Sequence, residues 1–307
     1  MERLLKKAKH SAAPKPAPSF ATHEGASDAV AVPITPPPKP VPAPTTGRPV
    51  VTYELRALLT EVELYDAYRL RYEVYRRLGY LQSCNKSEAE MDIYDLSSVP
   101  FGAFDAATGE LVGTLRLIKP EPQLEYDHLI AHVLAECFDT ELTRQALEPR
   151  PRSLPSIVSD EIERQIEAFN TPRFAVYEFS RFIIHPDHRF SNVSRGLGIL
   201  GMAHAMRSGP AVFIAGCLPE HNRLYASYGF VKLPYSGLDH FDTVNRLANT
   251  LICRSDALPR PMRARIDELV GSMASGAVEH AHELSRDSRA IFRFAAPRRA
   301  RRDMMEW

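Results

Sequence analysis

The stretch AVYEFSRFIIHPDHR, residues 175–189, sets Glu178 and Arg181 inside a run of apolar and aromatic residues that reads as a buried strand leading into a loop. Isolated charges are expensive to bury. A chain with such a strand must fold so that both charges meet partners, as a matched structural bridge or as part of a site. Strict alternation puts Glu178 and Ser180 on one face and Arg181 on the other. A β-bulge would change that parity.

The segments around this strand define its setting. VVTYELRALL alternates as a first strand. EVELYDAYRLRYEVYRRLGY places Leu64, Tyr68, Tyr72, Tyr75 and Leu78 at spacings of three and four, which predicts an amphipathic helix. VPFGAFDAATGELVGTLRLIKP predicts a hairpin turning at Thr108-Gly109. Residues 123–170 read as mixed, largely helical chain broken by EPRPRSLPS. RGLGILGMAHAMRSG predicts a helix, AVFIAGCL a short buried strand, PEHNRLYASYGF a helix between proline and glycine, and ANTLICR a late strand. Strands and helices interleave around one mixed sheet, so the fold class is α/β or α+β.

Three regions are expected. Residues 1–49 are rich in proline and alanine, a composition that favours extended, solvated chain over a packed core. Residues 50–257 form the folded domain. Residues 258–307 are expected to be a helical extension with an arginine-rich end, RRARR.

Lys plus Arg and Asp plus Glu both number 38, which excludes a globally basic nucleic-acid binder. Cys84, Cys137, Cys217 and Cys253 lie far apart, without histidines at metal-ligand spacing. They read as reduced thiols, and no metal site is expected. No apolar stretch approaches the roughly 18 residues of a membrane span. MERLLKKAKH lacks the apolar core of a secretory signal. A cytoplasmic protein is expected, with its basic termini offering peripheral contact to the inner membrane surface.

Charged and polar residues recur in otherwise apolar elements. Arg71 and Tyr75 sit four apart on the first helix, on one face. EMDIYD gathers Glu90, Asp92 and Asp95. Arg116 interrupts VGTLRLI, and Glu178, Ser180 and Arg181 follow in the later strand. A surface ion-pair network is the bland alternative. Strands as apolar as those holding Arg116 and Glu178 argue against it.

The ordered set Arg71-x-x-x-Tyr75, Glu90-x-Asp92-x-x-Asp95, Arg116 and Glu178-x-x-Arg181 resembles the acyl-homoserine lactone (autoinducer) synthases and the related N-acyl amino acid synthases, both of the GNAT acyltransferase superfamily. The resemblance covers residues 50 to about 235. It implies a mixed, mostly antiparallel sheet with a bulged strand splayed from its parallel neighbour, between YEFSRFII and VFIAGCL. It implies transfer of a long-chain acyl group from a thioester to the amine of an amino acid or related small amine. Arg71, Tyr75, Glu90, Asp92, Asp95 and Arg116 would bind the amino substrate and order the loop over it. Glu178 would assist amine deprotonation, with Arg181 bracing it and Ser180 beside it. An amide between Phe179 and Arg181 would stabilise the oxyanion. Tyr225, or Tyr228, would protonate the leaving thiolate. His185, His188 and His221 are read as structural or solvent-facing. The acyl channel is expected among the hairpin, the strand at 174–184 and the helices of 123–170.

Arg195-Gly196-Leu197-Gly198 resembles the phosphate-binding loop of these enzymes, departing from it where Leu200 replaces a small residue. That departure favours an acyl carrier protein, with its single 4'-phosphopantetheine phosphate, over acyl-CoA as donor. No permanently bound cofactor is implied. Carrier proteins are acidic, and Arg69, Arg76, Arg77 and the RRARR end are candidate docking groups. The autoinducer synthases carry a tryptophan where this chain has Tyr80 and Leu81, which weighs against lactone formation. Ornithine-lipid N-acyltransferases are a rival within the superfamily. A non-catalytic binding module on the same scaffold is the rival of another class.

Overall fold

The computed structural model describes residues 50–81, 85–119, 152–234, 236–241, 246–275, 280–283 and 290–295 of the 307. The tail assigned to residues 1–49 and the arginine-rich end lie outside the described residues, as does most of the stretch read as helical between 123 and 170.

Strand β1 (Val51–Ala57) leads into helix α1 (Glu61–Arg77). The Thr60 hydroxyl caps α1 by accepting from the Glu63 amide at 3.3 Å. Leu64, Tyr68, Tyr72 and Tyr75 are buried as their spacing predicts, whereas Leu78, the last residue of the predicted stripe, is exposed at the helix end. The helix ends at Leu78, just before Gly79, whose φ of +71° suits glycine. A 3-10 turn (Ile93–Ser97) precedes the hairpin of β2 (Ser98–Asp105) and β3 (Leu111–Ile118), which turns through Gly109 at φ +75°.

Helix α2 (Asp160–Glu167), capped by Ser159, precedes the central strand β4 (Ala175–Ile184). Then come α3 (Val193–Met206), β5 (Ala211–Cys217) and a 3-10 turn at Pro219–His221 that continues as the short α4 (Asn222–Ser227). Strands β6 (Val231–Lys232), β7 (Asp239–Phe241) and β8 (Arg246–Arg254) complete that side. Helix α5 (Arg260–Ser275) follows, then β9 (His280–Glu283) and β10 (Ala290–Phe294).

The strands form one sheet in the order β6-β8-β5-β4-β3-β2-β1-β10-β9, with β7 added on β8. It is mostly antiparallel; β4–β5 and β1–β10 are parallel. Helix α3 covers one face, where Gly201 lets it close on Leu115 and Phe179. On the other face Ile162 and Ile166 of α2 pack with Ile118, Val176, Val212 and Ile214. Arg71 brings α1 to the same face, since it shares Asp95 with Arg116. Among the described residues, no helix is long and apolar enough to cross a membrane.

One expectation fails at the C-terminal end. Residues 258–307 read as a helical extension, but among the described residues a single helix is followed by two strands. β10 buries Ala290, Phe292 and Phe294 and turns Arg293 outward, a period-two pattern that pairs it on β1. The helix-favouring VEHAHELSRDSR before it masks that short alternation in the sequence.

Candidate active site

The central strand departs from regularity where its charges lie. Ser180 faces Arg116 across the ladder and Ile183 faces Thr114, so Arg181 and Phe182 oppose the single residue Leu115. This is a β-bulge, and Arg181 sits in it with φ +49°, an uncommon conformation for a side chain of this size. The extra residue overturns strict alternation. Ser180 and Arg181 both turn toward the α1 face, while Phe179 and Phe182 pack against Phe230 and Tyr225 on the other.

Beside the bulge the sheet opens. β4 and β5 pair in parallel from Ala175–Ala211 to Phe179–Ala215 and no further. β4 continues on β3, and β5 continues on β8 through Gly216 and Cys217. A cleft of about 800 Å³ fills the opening. Glu178, Arg181, Gly216 and Tyr225 line it, with Ser194 at the start of α3 and Leu78 after α1.

The predicted charges converge. The 3-10 turn fixes two acids: Asp92 Oδ1 accepts from the Tyr94 amide and Asp95 Oδ2 from the Asp92 amide, each at 3.0 Å. Arg116 donates to Asp92 through two nitrogens, at 2.6 and 3.2 Å, to Ser180 Oγ at 3.0 Å, and pairs with Asp95 at 2.9 Å. Arg71 reaches Asp95 at 2.8 Å. Arg181 binds both oxygens of Glu90 at 2.9 Å through Nε, and Asp92 at 2.6 Å through Nη2. Its guanidinium lies 5.7 Å from the Tyr75 ring.

Arg71 and Arg116 are fully buried, which isolated guanidiniums would not tolerate. The network answers that cost by matching three arginines to three carboxylates. Burial opposes ionisation of Asp92, but Arg116 and Arg181 outweigh it and hold the carboxyl below the usual carboxylate range.

Glu178 stands apart. Its Oε2 accepts from the Ser156 amide at 3.0 Å, and no arginine bonds to it among the described residues. Burial therefore pushes its carboxyl up to about 7, resisted by hydrogen bonding from Ser156 and by the more distant charges of Arg116 and Arg181. A buried carboxyl poised near neutrality is suited to taking a proton.

Tyr225 lies on the other side of the cleft, and burial raises its hydroxyl well above the ordinary tyrosine value, so it stays protonated. Tyr228 is buried nearby and does not line the cleft. His188 and His221 do line it, and the Tyr53 hydroxyl lies 3.0 Å from His188 Nδ1.

The glycine loop is positioned otherwise than predicted. Helix α3 begins at Val193, so Arg195, Gly196 and Gly198 fall inside it, and none of them lines the cleft. A Cβ on Gly196 would come within 2.7 Å of Leu55 and 3.0 Å of Phe292, so this glycine serves helix–sheet packing. Asn192, Val193 and Ser194 meet the cleft instead. Leu200 is buried in the core, away from any phosphate position at the helix start. The basic groups on α1 are already paired, Arg69 and Arg76 with Glu88 and Arg77 with Glu73.

Sequence reasoning missed Ser156. Nothing in RSLPSIVS distinguishes it from ordinary loop, and only the folded chain brings it to Glu178.

The family model of the N-acyl amino acid synthase FeeM matches residues 66–248. Among solved structures, the chain resembles FeeM from uncultured soil microbes, with 18% identity over 66% of this chain and 91% of that one and a TM-score of 0.46. It also resembles BjaI, a CoA-dependent acyl-homoserine lactone synthase, at 15% identity over 71% and 90% with a TM-score of 0.45. An acyl-CoA N-acyltransferase from Pseudomonas aeruginosa is 15% identical over 66% and 98%, with a TM-score of 0.35. No curated protein matches the sequence.

Proposed function

The chain belongs to the FeeM family of N-acyl amino acid synthases, and we propose that it moves a long-chain acyl group from a carrier-protein thioester to the α-amine of an amino acid. The observation that carries the residue assignments is Glu178: a buried carboxyl titrating near 7 at the throat of a parted strand pair.

The acceptor amine arrives mostly protonated at neutral pH and must lose a proton before it attacks. Glu178 takes that proton, directly or through water. The freed lone pair attacks the thioester carbonyl, and an amide of the bulge between Phe179 and Arg181 stabilises the oxyanion. The intermediate collapses with loss of the thiolate, which Tyr225 protonates. Arg71, Arg116, Asp92 and Asp95 hold the turn that borders the amine, and Arg181 with Glu90 fixes the bulge. Tyr75 and Ser180 complete that wall.

The donor's pantetheine arm enters between β4 and β5. Its phosphate meets the first turn of α3, where helix amides lack intrahelical partners. Because Gly196 is spent on packing against Leu55 and Phe292, this start offers less of a glycine cradle than a pyrophosphate uses. That favours a carrier protein over CoA.

The test uses the full chain with matched acyl-carrier-protein and acyl-CoA substrates and a mixture of amino acids. Thiol release and mass spectrometry of the products are followed together. N-acyl amino acids formed faster from the carrier protein are expected. Thiol release without an amide product, or no release from either donor, would overturn the reading.

A further inference from the structure

We propose that Ser156 is a positioning residue of the acyl transfer, orienting the Glu178 carboxylate and holding it in its ionised form. This rests on the assignment of Glu178 as the base.

The segment carrying Ser156 is pinned on both sides. The Tyr94 hydroxyl donates to the Arg152 carbonyl at 3.0 Å, and the Arg152 guanidinium pairs with Asp160 and Glu163 at the start of α2. The Ser156 carbonyl accepts from the Thr250 hydroxyl on β8 at 3.2 Å, and its amide donates to Glu178 Oε2 at 3.0 Å. Both backbone groups are therefore committed.

The hydroxyl is what remains. Ser156 is fully buried, and its Oγ makes no hydrogen bond of regular geometry among the described residues. It lies over Gly216, where an added Cβ would sit 3.1 Å from it, at the point where β5 has just left β4. Pro155 beside it lines the cleft. A buried hydroxyl without a partner is costly, and the Glu178 carboxylate that its own amide holds is an acceptor beside it. Its presence favours the ionised form of Glu178 against burial.

The charged groups facing Glu178 from other positions are Arg116 on β3 and Arg181 on the bulge, both already bound to carboxylates. Tyr225 from α4 also faces Glu178 electrostatically, and it is neutral. Ser156 is thus the local donor that tunes the base, delivering two hydrogen bonds to one side of the carboxylate once an amine or water brings the hydroxyl into line.

The test compares wild type with Ser156→Ala, which keeps the backbone amide. The acidic limb of kcat/KM is expected to move up by about one pH unit. Activity would fall about 10-fold near pH 6 and by much less near pH 9, with the loss in kcat rather than KM. In a Glu178→Gln background the same substitution should cost nothing further. Infrared titration of the protonated Glu178 carboxyl, which needs no turnover, should show the same upward shift. A loss equal at every pH, an unshifted carboxyl, or a full additional loss in the Glu178→Gln background would overturn the role of Ser156. If wild type itself forms no amide while the infrared shift is present, it is the acyl-transfer reading that fails.

Discussion

A carboxyl group held at about 7 where the free side chain titrates at 4.5 makes two opposite demands on the protein. Between those values the folded state keeps a proton that the unfolded chain has lost, so stability falls as pH rises through that window. Above about pH 7 the full cost applies, on the order of 3 kcal/mol for a shift of this size. Glu178→Gln removes the titration. The variant is expected to lose turnover by ~10²-fold or more. It should melt higher than wild type above pH 7 and converge with it near pH 4, as calorimetry across pH would show. Equal melting curves at pH 8 would mean that Glu178 does not carry the burial cost. The same residue shows what sequence can convey. A carboxylate in an apolar strand is conspicuous because burial is costly, and Arg116 and Arg181 were legible for the same reason, Arg71 only through its spacing to Tyr75 and the ordered motif it shares with them. Ser156 was not, since a serine in a loop costs nothing until the fold closes around it.

At the level of elements, the bulge and the 3-10 turn are joined through Arg181. It takes a positive φ in the bulge while its guanidinium is tied to Glu90 and Asp92, and those acids lie in the segment between α1 and β2. Asp92→Asn leaves three buried arginines facing two carboxylates and is expected to cost about 3–5 kcal/mol, measured as the shift in denaturation midpoint. Arg181→Gly separates backbone from side chain, since glycine accepts the positive φ without strain but leaves Glu90 and Asp92 without their shared partner. It should retain most of the fold yet lose activity to about the same degree as Arg181→Ala. Near-wild-type turnover for the glycine variant alone would show that the bulge, not the ion pair, is what matters. Alternation alone puts Arg181 on the wrong face; the bulge that corrects it was implied by the family resemblance, since the register of the partner strand is not contained in one segment read by itself. The hairpin and α1 were legible because their signals, a turn glycine and a 3.6-residue stripe, are local.

For the molecule as a whole, the C-terminal strand reaches the cleft through a chain of contacts. Phe292 on β10 is fully buried, stacks on Tyr53 with centroids 5.8 Å apart, and packs against Gly196 near the start of α3. Tyr53 in turn meets His188, in the loop that delivers α3 to the mouth of the cleft. The last strands thus support the helix start against which the donor's phosphate is proposed to rest, although they lie at the far side of the sheet from β5. Phe292→Ala opens a cavity between β1, β10 and α3 and is expected to cost about 3–5 kcal/mol. If the coupling runs through α3, KM for the acyl donor should rise severalfold while KM for the amino acid stays within about twofold, because the proposed acceptor side is built on α1, β3 and β4 instead. Steady-state kinetics at a temperature where the variant remains folded separates the two. An equal rise in both constants would assign β10 to general stability, and an unchanged donor KM would detach the C-terminal strands from the site altogether.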